Sequence, residues 1–338
     1  MMPKAYLGLL YSFSDQLASF MMKKTLKEHF KNFPEELSFL LNYHTRLSKA
    51  ATIQSFVVWK GNRGYVDAAF RKPSLRLAAS LRLTAFESDV LDTMDDEFRP
   101  EVLSLKHKLY AEEFEARRRT YNFLAKVSQR LKSLVYERFR QYHSSSLNLY
   151  QEGRTRLEAG QEEDKAVRLH LLQDDVDWLR EKFPSWESAV KLLEKKLGLM
   201  GAYIARIVYM ESGGESEEIQ DYLSEFWLCS AVLMQMAAND FRKLEEDVAN
   251  KETNPVVIAV LCEEKKIRQI SLRDVGSYLK ENLFLLEKLP EPHLKGMMES
   301  LKKLETAGFN PRDHRAIAAL VRETVNREKS SLINRLGA

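Results

Sequence analysis

Helix breakers are scarce in this chain. Glycine and proline supply only 13 and 9 of its 338 residues, about half the usual combined share, which favours long helices over a turn-rich β architecture. Cysteine is scarcer still: Cys229 and Cys262 form no spaced pair, which points away from a zinc site and towards a reducing compartment. Neither sign of charge dominates. With 52 basic residues against 49 acidic, the totals carry no nucleic-acid footprint, and the run Arg117, Arg118, Arg119 beside Glu112, Glu113 and Glu115 reads as a solvated helix face. A stretch of about 18 unbroken apolar residues is absent, which excludes a membrane span. The first residues lack the basic region, apolar stretch and small-residue cleavage site of a signal peptide, so a cytoplasmic protein is expected.

What the chain has in quantity is apolar side chains, 44% of the total, recurring with helical period and without alternating runs long enough to need a sheet. An all-α fold is therefore predicted. Punctuation falls at Phe33–Pro34, Gly61 to Gly64, Lys72 to Ser74, Arg99–Pro100, Gly153 to Gly160, Phe183 to Ser185, Gly213 to Ser216, Asn254–Pro255, Leu289 to Pro292 and Gly308 to Pro311. Ser74, Ser185 and Ser216 stand where helix N-caps are wanted. No internal repeat or low-complexity linker divides the chain, so residues 1–338 are expected to form a single domain, with 1–50 as an added helical layer.

Two acidic clusters stand out, about 150 residues apart. One runs from Glu87 through Asp89 and Asp92 to Asp95 and Asp96; the other comprises Asn239 and Asp240, ahead of Lys251 to Pro255. Each ends an apolar helical run, Leu75 to Phe86 and Phe226 to Ala238, which aims oxygen ligands from inside a bundle. Buried carboxylates are costly unless paired or metal-bound. Asp89 and Asp92, at i and i+3, share a helix face, and such a set suits Mg²⁺, which takes few carboxylates and completes its shell with water and phosphate oxygens. Each stretch also has a plain reading: Asp95 and Asp96 as solvated charge, Gln173 to Asp177 as an acidic patch at a helix N-terminus, and Asp240 as part of an amphipathic face. Arg138 and His143 have the spacing of a ribonuclease Arg-x4-His motif, carried by two residues alone. No Ser-His-Asp or Cys-His arrangement shows in the spacing.

Several motifs succeed one another in a telling order. They are Gly61-Asn62-Arg63-Gly64, Ser88-Asp89-Val90-Leu91-Asp92, Gln173-Asp174-Asp175-Val176-Asp177, Lys195-Lys196-Leu197-Gly198, Gln235 through Asn239-Asp240, and Lys251-Glu252-Thr253-Asn254-Pro255. In order and spacing they resemble the Gly-Lys-x-x-Arg-Pro loop, first Asp-rich motif, Gln-x-x-Asp element, Lys-Thr pair, second Asp-rich motif and Lys-x-Thr-x-Pro of the trans-isoprenyl diphosphate synthase (polyprenyl synthetase) family. The likeness spans residues 61–309 and is closest in look to the competence-pheromone isoprenyl transferases. The sequence departs from the pattern where the first loop lacks its lysine unless Lys60 substitutes. It departs again where Ser88 replaces the leading Asp, no threonine comes after Lys196, and Asn239 and Lys243 replace two aspartates.

The resemblance implies an isoprenoid-synthase helical bundle around a central apolar cavity, and a Mg²⁺-dependent prenyltransferase that ionises an allylic isoprenyl diphosphate. The acceptor would be isopentenyl diphosphate or a peptide side chain, and a homodimer is implied. Asp89, Asp92, Asn239 and Asp240 would hold metal; Lys196, Lys251, Arg63, Arg99 and Thr253 would bear on the diphosphates; Gln235 and Asp174 would orient water or lysine. Thr84, one turn before Ser88, would lie at the pocket floor, where its small size leaves room for a long chain. A terpene synthase or cyclase needs only the allylic substrate and stands as an alternative. A catalytically poor subunit supporting an active partner is another, suggested by the missing aspartates.

Overall fold

The computed structural model describes residues 2–43, 47–63, 72–94, 98–106, 111–263 and 274–337, and the regular structure among them is helical, with no strand. The first helices are α1 (Met2–His29), α2 (Pro34–Asn42), α3 (Leu47–Arg63), α4 (Lys72–Thr93), α5 (Pro100–Lys106) and α6 (Ala111–Tyr142). Then come α7 (Leu147–Leu172), α8 (Val176–Lys182) and α9 (Trp186–Gly198). A π-helical segment, Leu199–Tyr203, leads into α10 (Ile204–Glu211), and α11 (Glu217–Gln235) ends in a second one, Met236–Phe241. The chain closes with α12 (Leu244–Asn250), α13 (Pro255–Glu263), α14 (Val275–Glu281), α15 (Phe284–Lys288), α16 (Glu291–Thr306) and α17 (Arg312–Gly337).

Sequence explains which helices sit at the centre. In α4, Leu77, Ala78, Leu81, Leu83, Ala85, Phe86 and Val90 are all buried, and since they point around the whole helix, α4 must be enclosed on every side. It packs against α1, α3 and α6. α11 is similarly enclosed, with Leu223, Phe226, Val232 and Leu233 buried against α9, α10 and α16. Ser216 caps α11 as its sequence predicts, its hydroxyl accepting from the Ile219 N–H at 3.3 Å. Ser185 does the same for α9 by accepting from Ser188. α4 begins three residues earlier than the Ser74 cap predicts, with Pro73 in its first turn, where a missing N–H costs nothing.

The glycines of 153–160 correct the expectation of a break. They interrupt nothing, because both lie buried inside α7. A Cβ at Gly160 would stand 2.8 Å from the Lys195 carbonyl carbon and 3.0 Å from the Lys196 nitrogen, so glycine here serves a close backbone approach between α7 and α9. Gly201 does likewise, its Cβ position 2.7 Å from Leu228 Cα, which brings the first π-helical segment onto α11. The two approaches pull α7, α9 and α11 together.

Candidate functional site

The junction of α7, α9 and α11 holds a cluster of buried polar groups. Lys196, at the end of α9, donates to Asp164 Oδ2 of α7 at 2.8 Å. Asp240 lies in the second π-helical segment and is 3% exposed, and its Oδ2 has no hydrogen-bond partner among the described residues. Burial pushes the Asp240 carboxyl well above the usual range; Asp247 and Asp164 add to the shift, while Lys196 and a hydrogen bond from Gln235 oppose it. Burial also raises the Asp247 carboxyl to about 6, against the hydrogen bond it accepts from Asn254 at 2.8 Å. Asn254 anchors the same loop by donating to the Asp240 carbonyl at 3.0 Å.

The π-helical turn decides which side chain faces inward. An inserted residue rotates all later residues of the helix by most of a helical step, so Asp240 is buried while Asn239 is only half-buried and donates to Gln235 Oε1 at 2.7 Å. Thr253 reaches the Asp164 carbonyl at 3.4 Å. Lys251, held in the left-handed region at φ 53°, donates to Asp174 Oδ2 at 2.6 Å and to the Leu172 carbonyl at 3.3 Å. Thus Lys196, Gln235, Asn239, Asp240, Lys251, Thr253 and Asp174 gather at one end of the bundle. Asp174 is exposed there and meets the cluster through Lys251.

α7 links this cluster to the first acidic motif. Arg99 packs 4.0 Å from Glu162, and Arg154, ten residues before Asp164 on the same helix, pairs with Glu87 of α4. Asp89 comes two residues later, half-buried, its carbonyl accepting from the Tyr43 hydroxyl at 3.4 Å. Asp92 stands one turn on, within α4, and its side chain lies outside the described residues, as do Asp95 and Asp96. Thr84 is fully buried, donating to the Ser80 carbonyl at 3.1 Å.

Arg63 is not brought to the cluster. α3 runs antiparallel to α4, since Tyr43 ahead of α3 bonds Thr93 and Thr52 bonds Arg82. Arg63 therefore ends α3 beside the start of α4, about 25 Å along the helix axis from Asp89, with its guanidinium over Gly213. Lys60 is engaged by Asp313 at 2.6 Å. Gly64 lies outside the described residues. Arg138 and His143 converge on Ser80, and His143 also faces Glu211 at 3.4 Å, away from the Asp-rich stretches.

The structure also adds residues. Gln161 and Asp164 have the Gln-x-x-Asp spacing in full and sit buried on α7 facing α9, twelve and ten residues before Gln173 and Asp174 of the more acidic stretch. In that stretch Asp175 caps α8, accepting from Trp178 N–H at 3.2 Å and bonding His170 at 2.9 Å, and Asp177 is exposed. Arg168 with Glu252, 2.8 Å apart, joins the same inner face of α7. The signal for Gln161 and Asp164 is their spacing with Gly160 in front; an apolar-poor window hides it.

Comparison with solved structures places the architecture. The decaprenyl diphosphate synthase of Rhodobacter capsulatus superposes with a TM-score of 0.62 at 10% identity, covering 96% of this chain and 99% of that one. Octaprenyl pyrophosphate synthase from Helicobacter pylori gives 0.60 at 14% identity over 93% and 99%. Geranylgeranyl pyrophosphate synthase from Corynebacterium glutamicum, complexed with isoprenyl diphosphate and magnesium, gives 0.57 at 14% over 93% and 99%. The chain has the prenyl diphosphate synthase fold. No sequence-family model and no curated protein sequence matches it. Among the described residues no helix is long and apolar enough to cross a membrane.

A cation fits one wall of this site on the structure's own terms. No group of three metal-ligating side chains occurs among the described residues. What does occur is a buried carboxylate oxygen without a partner, on Asp240, in the field of two further carboxylates. At Asp240 three carboxylates face Lys196 alone, and Mg²⁺ needs only one or two carboxylates when phosphate oxygens and water supply the rest.

Gly160 offers a direct check of the geometry that holds Lys196 at Asp164. Alanine is the better helix former by about 1 kcal/mol, yet its methyl group would meet backbone atoms of Lys195 that cannot rotate away. Gly160→Ala is therefore expected to destabilise by roughly 1–3 kcal/mol, read as a lower thermal midpoint by circular dichroism. A variant as stable as the parent would show that α7 and α9 do not approach this closely.

Proposed function

We propose that the protein is a Mg²⁺-dependent prenyltransferase that ionises an allylic isoprenyl diphosphate and passes the prenyl group to an acceptor. The observation that carries this reading is the Asp164–Lys196–Asp240 cluster, standing at the junction of α7, α9 and α11 in a prenyl diphosphate synthase fold. Asp240 and Asp164 would hold the cation on one wall and Asp89 and Asp92 on the other; bound there, Mg²⁺ would stabilise charge on the departing diphosphate. Lys196, Lys251 and Arg99 would bind phosphate oxygens, with Thr253 and Gln235 holding Asp164 and Asp240 in place. In the reaction, the allylic C–O bond breaks with its electron pair going to the diphosphate oxygen. The acceptor's electron pair then forms the new bond to the allylic carbon, and the acceptor loses a proton. The surrounding apolar helices exclude water, which would otherwise capture the cation.

The acceptor in this reading is isopentenyl diphosphate or a peptide side chain, the latter as in competence-pheromone transferases. A homodimer and a cytoplasmic location belong to the same proposal. One observation favours the second reading, a catalytically poor subunit of a prenyl diphosphate synthase: Lys196 and Lys251 are already engaged by Asp164 and Asp174.

Thermal stability with pyrophosphate and Mg²⁺ separates these readings. Anything that binds only the native state stabilises it by mass action, roughly 3 kcal/mol at a hundredfold excess over Kd, so the pair together is expected to raise the melting temperature where neither does so alone. The effect should grow as pH rises through about 6, where Asp247 ionises, because its negative charge beside Asp240 then adds to the attraction for a cation. No shift at millimolar concentrations would refute the proposed diphosphate site. A shift without turnover of geranyl or farnesyl diphosphate, with either acceptor, would favour the subunit reading.

A further inference from the structure

The π-helical turn that carries Asp240 is held from outside, by a helix the proposed chemistry leaves unused. A π turn puts backbone hydrogen bonds out of step with the helix that follows, and the last carbonyls of any helix find no N–H within it. Here the Asn239 carbonyl is taken by the Lys243 N–H at 2.7 Å. The next three carbonyls are met by side chains from distant segments. Asn254 donates to the Asp240 carbonyl at 3.0 Å, and Arg335 Nη2 of α17 donates to the carbonyls of Phe241 at 2.8 Å and Arg242 at 3.4 Å. The other nitrogens of that guanidinium are engaged too. Nε donates to Glu245 Oε1 at 3.0 Å and Nη1 to Ser331 Oγ at 3.1 Å.

Arg335 stands in the last turn of α17, which runs beside α11 in the same direction. Near its start, His314 accepts from the Trp227 indole N–H at 3.3 Å; near its end, Arg335 meets Phe241. α17 is thus tied to α11 ahead of the π turn and to the backbone where that turn ends. Such a splint bears on Asp240, because one inserted residue is absorbed into regular α-helix only if everything beyond it rotates. The gripped carbonyls belong to the two residues directly after Asp240, so that rotation would pull both away from the guanidinium. The register kept is the one in which Asp240 is buried and Asn239 half-buried. Stability explains the contact less well. The Arg335 and Glu245 side chains are 36% and 53% exposed, and ion pairs so open to water contribute little.

We propose that Arg335 is a positioning residue for the metal wall: its grip on the Phe241 and Arg242 carbonyls keeps the π register that buries Asp240 at the candidate site. The proposal rests on the prenyltransferase reading and adds the end of α17 to the parts on which that reading depends. Arg335 touches neither metal nor substrate in this role. It acts through the backbone, and loosening a group that orients a metal ligand typically costs about 10–100-fold in metal affinity.

The test compares the full-length parent with Arg335→Met on two readouts. Amide hydrogen exchange should accelerate at least about tenfold in residues 236–243 while 217–235 keep their parental rates, because the variant frees only the end of the helix. The Mg²⁺ concentration that gives half of the pyrophosphate-dependent melting shift should rise about tenfold or more, while the melting temperature without ligand moves little. A merely structural role would lower the unliganded melting temperature and leave the Mg²⁺ requirement where it was. Arg335→Lys keeps the charge at the helix end but lacks the planar fork, so it should resemble Arg335→Met. Full rescue by lysine, an unchanged Mg²⁺ requirement or unchanged exchange in 236–243 would overturn the positioning role while leaving the diphosphate site intact. A parent with no shift in pyrophosphate and Mg²⁺ would overturn the prenyltransferase reading and the positioning role with it. Arg327→Met, which removes an exposed arginine from the same helix, is the control and should match the parent on both readouts; an equal effect there would also overturn the proposal.

Discussion

Replacing Asp240 by asparagine is expected to separate stability from activity in opposite directions. Turnover of an allylic diphosphate should fall about a hundred- to a thousandfold, the loss expected on removing one group that stabilises developing charge. The fold should gain. In the native state the Asp240 carboxyl is raised well above its ordinary value by burial, so the folded protein binds that proton more tightly than the unfolded chain does. The stability this group contributes is present below the unfolded pKa and is lost as pH rises through the folded value. Ionising this carboxyl therefore costs the folded state, and the amide, which cannot ionise, relieves roughly 1–3 kcal/mol of that cost once pH passes the folded value. The melting temperature of Asp240→Asn should gain on that of the wild type as pH rises and converge with it on acidification. The Mg²⁺-pyrophosphate shift should disappear. Undiminished turnover, or a retained shift, would remove Asp240 from the metal wall.

The parts of this arrangement that depend on short-range patterns are legible in the sequence. The apolar runs Leu75 to Phe86 and Phe226 to Ala238 are helices enclosed on all sides, and Ser185 and Ser216 cap as their neighbours require. Other parts depend on contacts between distant segments. Gly160 reads locally as a break, and only the Lys195 backbone beside it shows why a glycine sits inside a helix. The π-helical turn at Met236–Phe241 has no local signature, yet it buries Asp240 and leaves Asn239 half-buried. Arg63 sits the right distance in sequence before Asp89, but the α3–α4 hairpin puts them at opposite ends, because sequence spacing does not say which way a helix returns. Gln161 and Asp164 are visible as a spaced pair. The more acidic stretch at Gln173 outweighs them as a pattern, although its Asp175 serves as a helix cap.

Lys196→Met is expected to be the most damaging single change at the junction, since it removes the one cation named opposite two buried carboxylates. Asp164 would lose its 2.8 Å partner with 11% of its side chain exposed, and Asp240 would lose the charge that opposes its upward shift. Breaking one side of such a pair typically costs about 3–5 kcal/mol, because the other charge stays buried. Both carboxylates should then hold protons to higher pH, so the stability deficit of the variant should widen as pH rises and narrow in acid. Adding Asp164→Leu to Lys196→Met removes the other charge of the pair and should recover most of the lost melting temperature, while turnover stays at least about a hundredfold down because neither the lysine facing the diphosphate nor the Asp164 carboxylate of the metal wall remains. Activity that returned together with stability in the double variant would show that Lys196 holds α9 to α7 and does nothing more.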